Sequence, residues 1–259
     1  MRFIKFLKVS DKRHGYGNIQ NKYNIFDEIC SLDKILANFK SVFGLDDTII
    51  LLDNSSDETF EKVKSFGFCE IIRTSLGPHD STKFLFDKIV SEYNDDDVIY
   101  LCEDDYWHLS DSPKIIIEGL ERAPFVTLYD SLDKYVNHSV GGANPQITES
   151  GERTLVYITE SCHWKFTNAT TMTFAAKVSS FKQHHSIMSQ YYTSDYAMFC
   201  LLRTQGFDIG VCIPGRSSHI GYEMSPYTNW IELIKQGSDK HQYSEHDITY
   251  AEWRRVTGR

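Results

Sequence analysis

At 259 residues the chain is long enough for one large domain with a buried core, and its 41% hydrophobic and 14% aromatic content argues against disorder. A formal net charge of −9 disfavours broad binding to a nucleic-acid backbone. No apolar run approaches the roughly 20 residues that cross a bilayer, residues 1–8 are too interrupted for a signal peptide, and six cysteines without a C-x-x-C spacing point to free thiols in a reducing cytosol.

Residues 2–9 mix basic and apolar side chains and predict an opening strand, followed by a polar loop over 10–24 with Gly15 and Gly17. Phe26, Ile29, Leu32, Ile35, Leu36, Phe39 and Phe43 recur at helical spacing and stop at Gly44. Residues 48–52 predict a second buried strand, closed by Asp53, Asn54, Ser55, Ser56 and Asp57, whose short polar side chains suit a turn and a helix cap. A short helix through Phe60 and Val63 leads to a third strand over 70–73. Gly77 and Pro78 break the chain, and Asp80 or Ser81 is the expected cap of a helix through Phe84, Phe86, Ile89 and Val90.

Val98, Ile99, Tyr100, Leu101 and Cys102 then predict a strand buried on both faces, and Glu103, Asp104 and Asp105 follow at once. Strands alternating with helices over the first 105 residues predict a mostly parallel sheet with helices on both faces. Ligands bind such sheets at the carboxyl ends of the strands. A lone acidic triplet is more often a solvated loop, but three adjacent carboxylates repel one another less when a cation shares the site. Mg²⁺ and Mn²⁺ take one or two carboxylates plus phosphate oxygens, so the triplet at this place suggests a metal–diphosphate site.

The second half is less regular. Residues 113–122 read as helix, 125–129 as strand, 147–158 as a hairpin turning at Ser150 and Gly151, and 170–176 as strand. Ser194 is the expected cap of a helix through Tyr196, Met198, Phe199, Leu201 and Leu202 that stops at Gly206. Residues 209–213 read as a short strand, 214–219 as a loop, and the polar, aromatic tail is expected to pack over the body through Trp230 and Trp253.

The order of these pieces resembles the GT-A fold of nucleotide-sugar-dependent glycosyltransferases, especially the family-2-like group. Residues 49–57 look like that group's strand ending in an acid and a Ser/Asp-rich turn; Ser75, Leu76 and Gly77 followed by Lys83 are similar to its Asn-x-Gly…Arg segment. Residues 100–105 resemble its D-x-D motif, with Glu103 where the group starts with Asp. Ser194, Asp195 and Tyr196, then Gly206 and a Pro-Gly loop with His219, look like its acidic helix start and C-terminal metal loop, although Ser194 stands where the group has Glu. Together the matches span residues 49–219.

The resemblance implies an α/β, Rossmann-like sheet with a nucleotide-sugar half over 1–106, an irregular acceptor half over 107–225 and a tail over 226–259. It implies Asp105 and His219 as ligands of Mn²⁺ or Mg²⁺, with Glu103 or Asp104 on the ribose or a metal-bound water. Asp53 would contact the nucleoside, and Lys83 and Arg216 the diphosphate. Asp195 would be the general base of an inverting transfer, with Glu223 in reserve. Trp107, His163 and Trp164 are sugar-stacking candidates that serve as often in a core. A UDP-sugar is the implied donor; the acceptor is a glycan, a glycolipid, a protein or a modified nucleobase. The alternatives are a non-catalytic glycan- or nucleotide-binding protein of the same fold, and a sugar-phosphate nucleotidyltransferase. The latter should carry a Gly-rich phosphate loop after the first strand, which residues 10–15 lack.

Overall fold

Nine strands among the described residues pair into one sheet in the order β3-β2-β1-β4-β9-β6-β10-β8-β7. The computed structural model of the protein describes residues 1–11, 30–220 and 224–240. Strands β1 (Phe3–Val9), β2 (Thr48–Asp53), β3 (Glu70–Thr74) and β4 (Val98–Glu103) are parallel neighbours. Strand β9 (Phe174–Lys177) runs antiparallel between β4 and β6 (Phe125–Thr127). Strand β10 (Ile209–Ile213) is parallel to β6, and β8 (His163–Thr167) and β7 (Val156–Ile158) close the far edge antiparallel. The fold is α/β with a mostly parallel sheet.

Strand alternation sorts the core into two faces. Leu7, Val9, Ile50, Leu52, Tyr100 and Cys102 pack with α1 (Leu32–Phe43), α2 (Asp57–Ser65) and α4 (Ser112–Leu120). Ile4, Phe6, Ile49, Leu51, Ile99 and Leu101 pack with α3 (Pro78–Glu92), α5 (Val178–Gln190) and α6 (Asp195–Thr204). Ser31 caps α1, Ser56 caps α2 and Ser194 caps α6, each hydroxyl accepting a backbone N–H three residues on. Helix α3 differs from expectation: Gly77 is its cap residue and Pro78 its first, so neither Asp80 nor Ser81 caps it. Among the described residues no helix is long and apolar enough to cross a membrane.

Parts of the second half required tertiary information, although the helix starting at Ser112, the strand at Phe125, the helix capped by Ser194 and the strand over Ile209–Ile213 lie where the sequence placed them. Residues 147–155 form no strand; the hairpin is β7 with β8 and turns through residues 159–162. Helix α5 is absent from the sequence reading, yet Val178, Phe181, His184 and Met188 bury one face of it. Residues 217–219, expected as loop, form β11 (Ser217–His219), which pairs antiparallel with β5 (Tyr106–His108). Helix α7 (Trp230–Gln236) packs behind this ribbon with Trp107 and Trp230; Trp253, like Phe26, Ile29, Gly15 and Gly17, lies outside the described residues. Trp107 and Trp164 are core side chains, each 1% exposed or less, and not sugar platforms. Their apolar area is worth more in the core than on a ligand.

Two local arrangements carry stability. Lys165 Nζ lies 3.2 Å from both Asp130 and Glu152, and 3.8 Å from the centre of the Tyr135 ring, whose hydroxyl donates to Asp130. This buried ion cluster pins the irregular residues 130–152 to β8. On α4, a Cβ added at Gly119 would come within 2.7 Å of Trp164 Cζ2. Trp164 cannot retreat, because it is fully buried and stacked on Tyr157. The roughly 1 kcal/mol that Ala gains over Gly in a helix is therefore outweighed, and Gly119→Ala is expected to destabilise the protein by about 1–3 kcal/mol. A lowered urea midpoint at unchanged slope is the expected reading; an equal or higher midpoint would contradict the close packing.

Candidate functional site at the carboxyl end of β4

The three acids leave β4 in a tight turn, and the β5–β11 ribbon determines what they meet. Its register sets His219 opposite Tyr106, and the Ile220 N–H donates to the Asp105 carbonyl at 2.7 Å, extending the pairing by one residue. As a result His219 Nε2 lies 3.1 Å from Asp105 Oδ2, although 114 positions separate them (219 − 105). Burial alone would lower the His219 imidazole; Asp105, with Glu103 and Asp104 behind it, outweighs that and raises its pKa above the ordinary value.

The other two acids are held separately. Glu103 Oε1 pairs with Lys8 Nζ at 2.9 Å, across the β1–β4 register. Lys8 also donates to the Pro78 carbonyl and to Thr82 Oγ1. Asp104 Oδ2 accepts the Ser10 N–H at 3.2 Å. Mutual repulsion is thus offset locally, by a lysine on one side and an imidazole on the other. Lys8 was not singled out from sequence, although a cation at the end of the first strand is a readable signal.

Asp53 stands two strands away at the end of β2, 2% exposed. Its carboxylate accepts from Thr74 Oγ1 (2.9 Å), the Leu76 N–H (2.7 Å) and Asn54 Nδ2 (3.0 Å). It therefore ties the end of β2 to the loop entering α3. Two expected phosphate contacts are not brought to the acids. Lys83 is half-exposed on α3 and pairs with Asp87 one turn on, at 2.6 Å. Arg216 is buried; its Nε donates to Asp111 at 2.9 Å and its Nη1 to the Pro214 carbonyl, so it pins the start of β11 to α4. A buried guanidinium takes the counter-charge nearest to it, here Asp111.

Beneath the acids lies His108, fully buried, with Nε2 2.7 Å from the Tyr100 hydroxyl. Burial pulls its pKa down to about 3. The unfolded chain protonates this residue near 6.5 while the folded one does not, so stability is expected to decline as pH falls from about 6.5 toward 3, by up to ~1.4 kcal/mol per pH unit. NMR of the ring should show no titration between pH 8 and 5; a midpoint near 6.5 would refute it.

Asp195 opens α6 at the same end of the sheet. Its Oδ2 accepts the N–H groups of Thr170 (2.6 Å) and Thr171 (2.7 Å) and the Thr170 hydroxyl (3.3 Å). Those residues form a turn closed by Thr173 N–H to the Thr170 carbonyl at 3.2 Å, with φ of 51° at Thr171 and 54° at Met172. Left-handed backbone at a residue other than glycine costs on the order of 1–3 kcal/mol. The Tyr106 hydroxyl donates to the Thr171 carbonyl at 3.4 Å, and the Tyr106 ring packs edge-on against His219 at 5.1 Å. Asp195 is therefore linked to the Asp105–His219 pair through one turn and one tyrosine. Glu223 lies outside the described residues.

No protein-family model matches the chain, and no curated protein matches it in sequence. Among solved structures, it is similar to the inositol-1-phosphate CTP transferase from T. maritima, at TM-score 0.47 and 16% identity over 92% of this chain and 96% of that one. It is similar to a cytidylyltransferase from Leptospira borgpetersenii serovar Hardjo-bovis, at 0.47 and 13% over 91% and 85%. It is also similar to glucosyl-3-phosphoglycerate synthase from Mycobacterium tuberculosis in complex with Mg²⁺ and uridine diphosphate, at 0.47 and 11% over 81% and 68%. These likenesses are in chain outline only, and the choice of chemistry rests on the side chains at the end of β4.

Proposed function

We propose that the protein is a glycosyltransferase that moves a sugar from a UDP-sugar to an acceptor hydroxyl with inversion, using Mn²⁺ or Mg²⁺ held at Asp105 and His219. The observation that carries this reading is the 3.1 Å approach of those two side chains at the carboxyl end of β4. A carboxylate oxygen and an imidazole nitrogen are a donor set that fits Mn²⁺, and Mg²⁺ less closely. No group of three such side chains converges among the described residues. A cation held by two side chains would need phosphate oxygens and water to complete its shell.

A cation held at Asp105 and His219 would supply neutralisation of the charge that grows on the leaving diphosphate. Lys8 offsets Glu103, so that acids at adjacent positions tolerate one another. Asp53 keeps the loop before α3 in place under the nucleoside. One oxygen of Asp195 holds the Thr170 turn; among the described residues no donor is bonded to the other, which takes the acceptor proton as the hydroxyl attacks. The acceptor is a glycan, glycolipid, protein or modified nucleobase.

Thermal melting with UDP, GDP, CDP and dTDP, each with and without Mn²⁺, tests the reading. At a hundredfold excess over its dissociation constant the right nucleotide adds ~2.7 kcal/mol to stability. If no nucleoside diphosphate raises the melting temperature with metal present, the reading fails. Release of UDP from the donor identifies glycosyl transfer; release of pyrophosphate from CTP or UTP would establish the nucleotidyltransferase alternative.

A further inference from the structure

The far edge of the sheet is open and apolar. Strand β7 ends the strand order, and among the described residues nothing pairs with its outer side. The Phe166 N–H donates to the Leu155 carbonyl and the Thr159 N–H to the Cys162 carbonyl, so Leu155, Tyr157 and Thr159 turn their backbone groups toward β8. By the same alternation the N–H and C=O groups of Val156 and Ile158 point outward. Leu155, Val156 and Ile158 are 63–74% exposed. A bare edge usually carries a charge, a proline or a bulge that keeps other strands away. The opposite edge, β3, has exposed Glu70 and Arg73 for this, whereas β7 has no such guard within it. Charge instead flanks β7 with opposite sign at its two ends. Arg153 precedes it and Glu160 follows it, both exposed and held only by the surface partners Glu149 and Lys114.

We propose that β7 is a docking edge for a second copy of this chain, the two β7 strands pairing antiparallel about a two-fold axis beside Tyr157. An axis perpendicular to the sheet keeps every side chain on its own face. With Val156 opposite Ile158, the outward N–H and C=O groups exchange both hydrogen bonds in each pair. The exposed Val156 and Ile158 of the two copies then cover one another. Tyr157, stacked on Trp164, meets the Tyr157 of the second copy and continues that face across the seam. The same register brings Arg153 of one copy alongside Glu160 of the other, at both ends of the ribbon. A parallel pairing would set like charge against like. A shift of two residues sets Val156 against Glu160, or Ile158 against Thr154, and loses the match. Strand β7 lies five strands from β4, so the inference does not depend on the glycosyl-transfer reading.

The test is sedimentation equilibrium of the full chain over a range of concentrations, in reductant. The wild type should form a dimer and nothing larger, because a two-fold pairing uses up the edge of both copies. Val156→Lys combined with Ile158→Lys lines the seam with like charge and should leave a monomer. Melting of the dilute protein should stay within about 1–2 °C of wild type, since both positions are exposed. Arg153→Glu alone should weaken the dimer at least about tenfold, and less so at high salt. Adding Glu160→Arg restores opposite signs across the seam and should bring the dissociation constant back to within about threefold of wild type. Hydrogen exchange at the Val156 and Ile158 amides should slow as the wild-type concentration rises. A wild type that is monomeric at every concentration overturns the proposal. So does a dimer that survives the paired lysines, because it forms on another face. A charge swap that fails to recover the affinity lost in Arg153→Glu overturns the antiparallel pairing and the proposal with it.

Discussion

Asp105→Asn is expected to weaken Mn²⁺-dependent UDP binding by more than the roughly 10–100-fold that loss of an outer-shell partner costs a metal site. Asparagine keeps the size of the side chain and a neutral oxygen but removes the charge that attracts the cation. On the proposed reading His219 would then be the one strong ligand left, too few to hold a divalent ion between phosphate oxygens. The fold should tolerate the change. The Asp105 side chain is partly exposed, and its backbone carbonyl, which accepts from Ile220, is untouched. Calorimetry with and without Mn²⁺ separates the two contributions: metal-dependent affinity should collapse, while melting of the ligand-free protein should shift little. UDP affinity equal to wild type in Mn²⁺ would exclude Asp105 as a ligand and leave Glu103 or Asp104 to be tried.

Asp195→Asn is expected to slow sugar transfer by ~10²–10⁴-fold while leaving UDP binding nearly intact. The amide oxygen of asparagine accepts the Thr170 and Thr171 N–H groups as the carboxylate did, so the turn keeps its support. What is lost is a group able to take a proton at neutral pH. Asp195→Ala removes both, and should cost stability as well as rate, because it leaves two N–H donors short of their acceptor. The comparison therefore divides the base role from the structural one. Full activity in Asp195→Asn would end the base assignment and turn attention to Glu223 or to a retaining mechanism. The configuration of the new anomeric centre, read from its proton coupling by NMR, decides inversion independently; retention would overturn it.

By itself the sequence determined the first half of the fold and the place of the acids. Apolar runs at 48–52 and 98–102 have no polar face, so only a sheet covered on both sides accommodates them, and the acids that follow must emerge at its carboxyl end. Gly44 and Ser194 act as sequence signals for the end of one helix and the start of another because caps are local chemistry. Beyond β4 the signals that escaped the sequence are non-local. Strands of three residues such as β5, β7 and β11 carry too little periodicity to declare themselves, and β11 forms where Tyr106–His108 and the Leu128–Tyr129 backbone are there to pair with it. That pairing decided that His219 meets Asp105. Counter-charges from distant segments decided equally that Arg216 answers Asp111 and that Lys8, unremarked in the sequence, answers Glu103, whereas Lys83 answers Asp87 one turn on in its own helix. A side chain's partner is settled by which charge the fold delivers within hydrogen-bond reach, and that distance is a property of the tertiary structure alone.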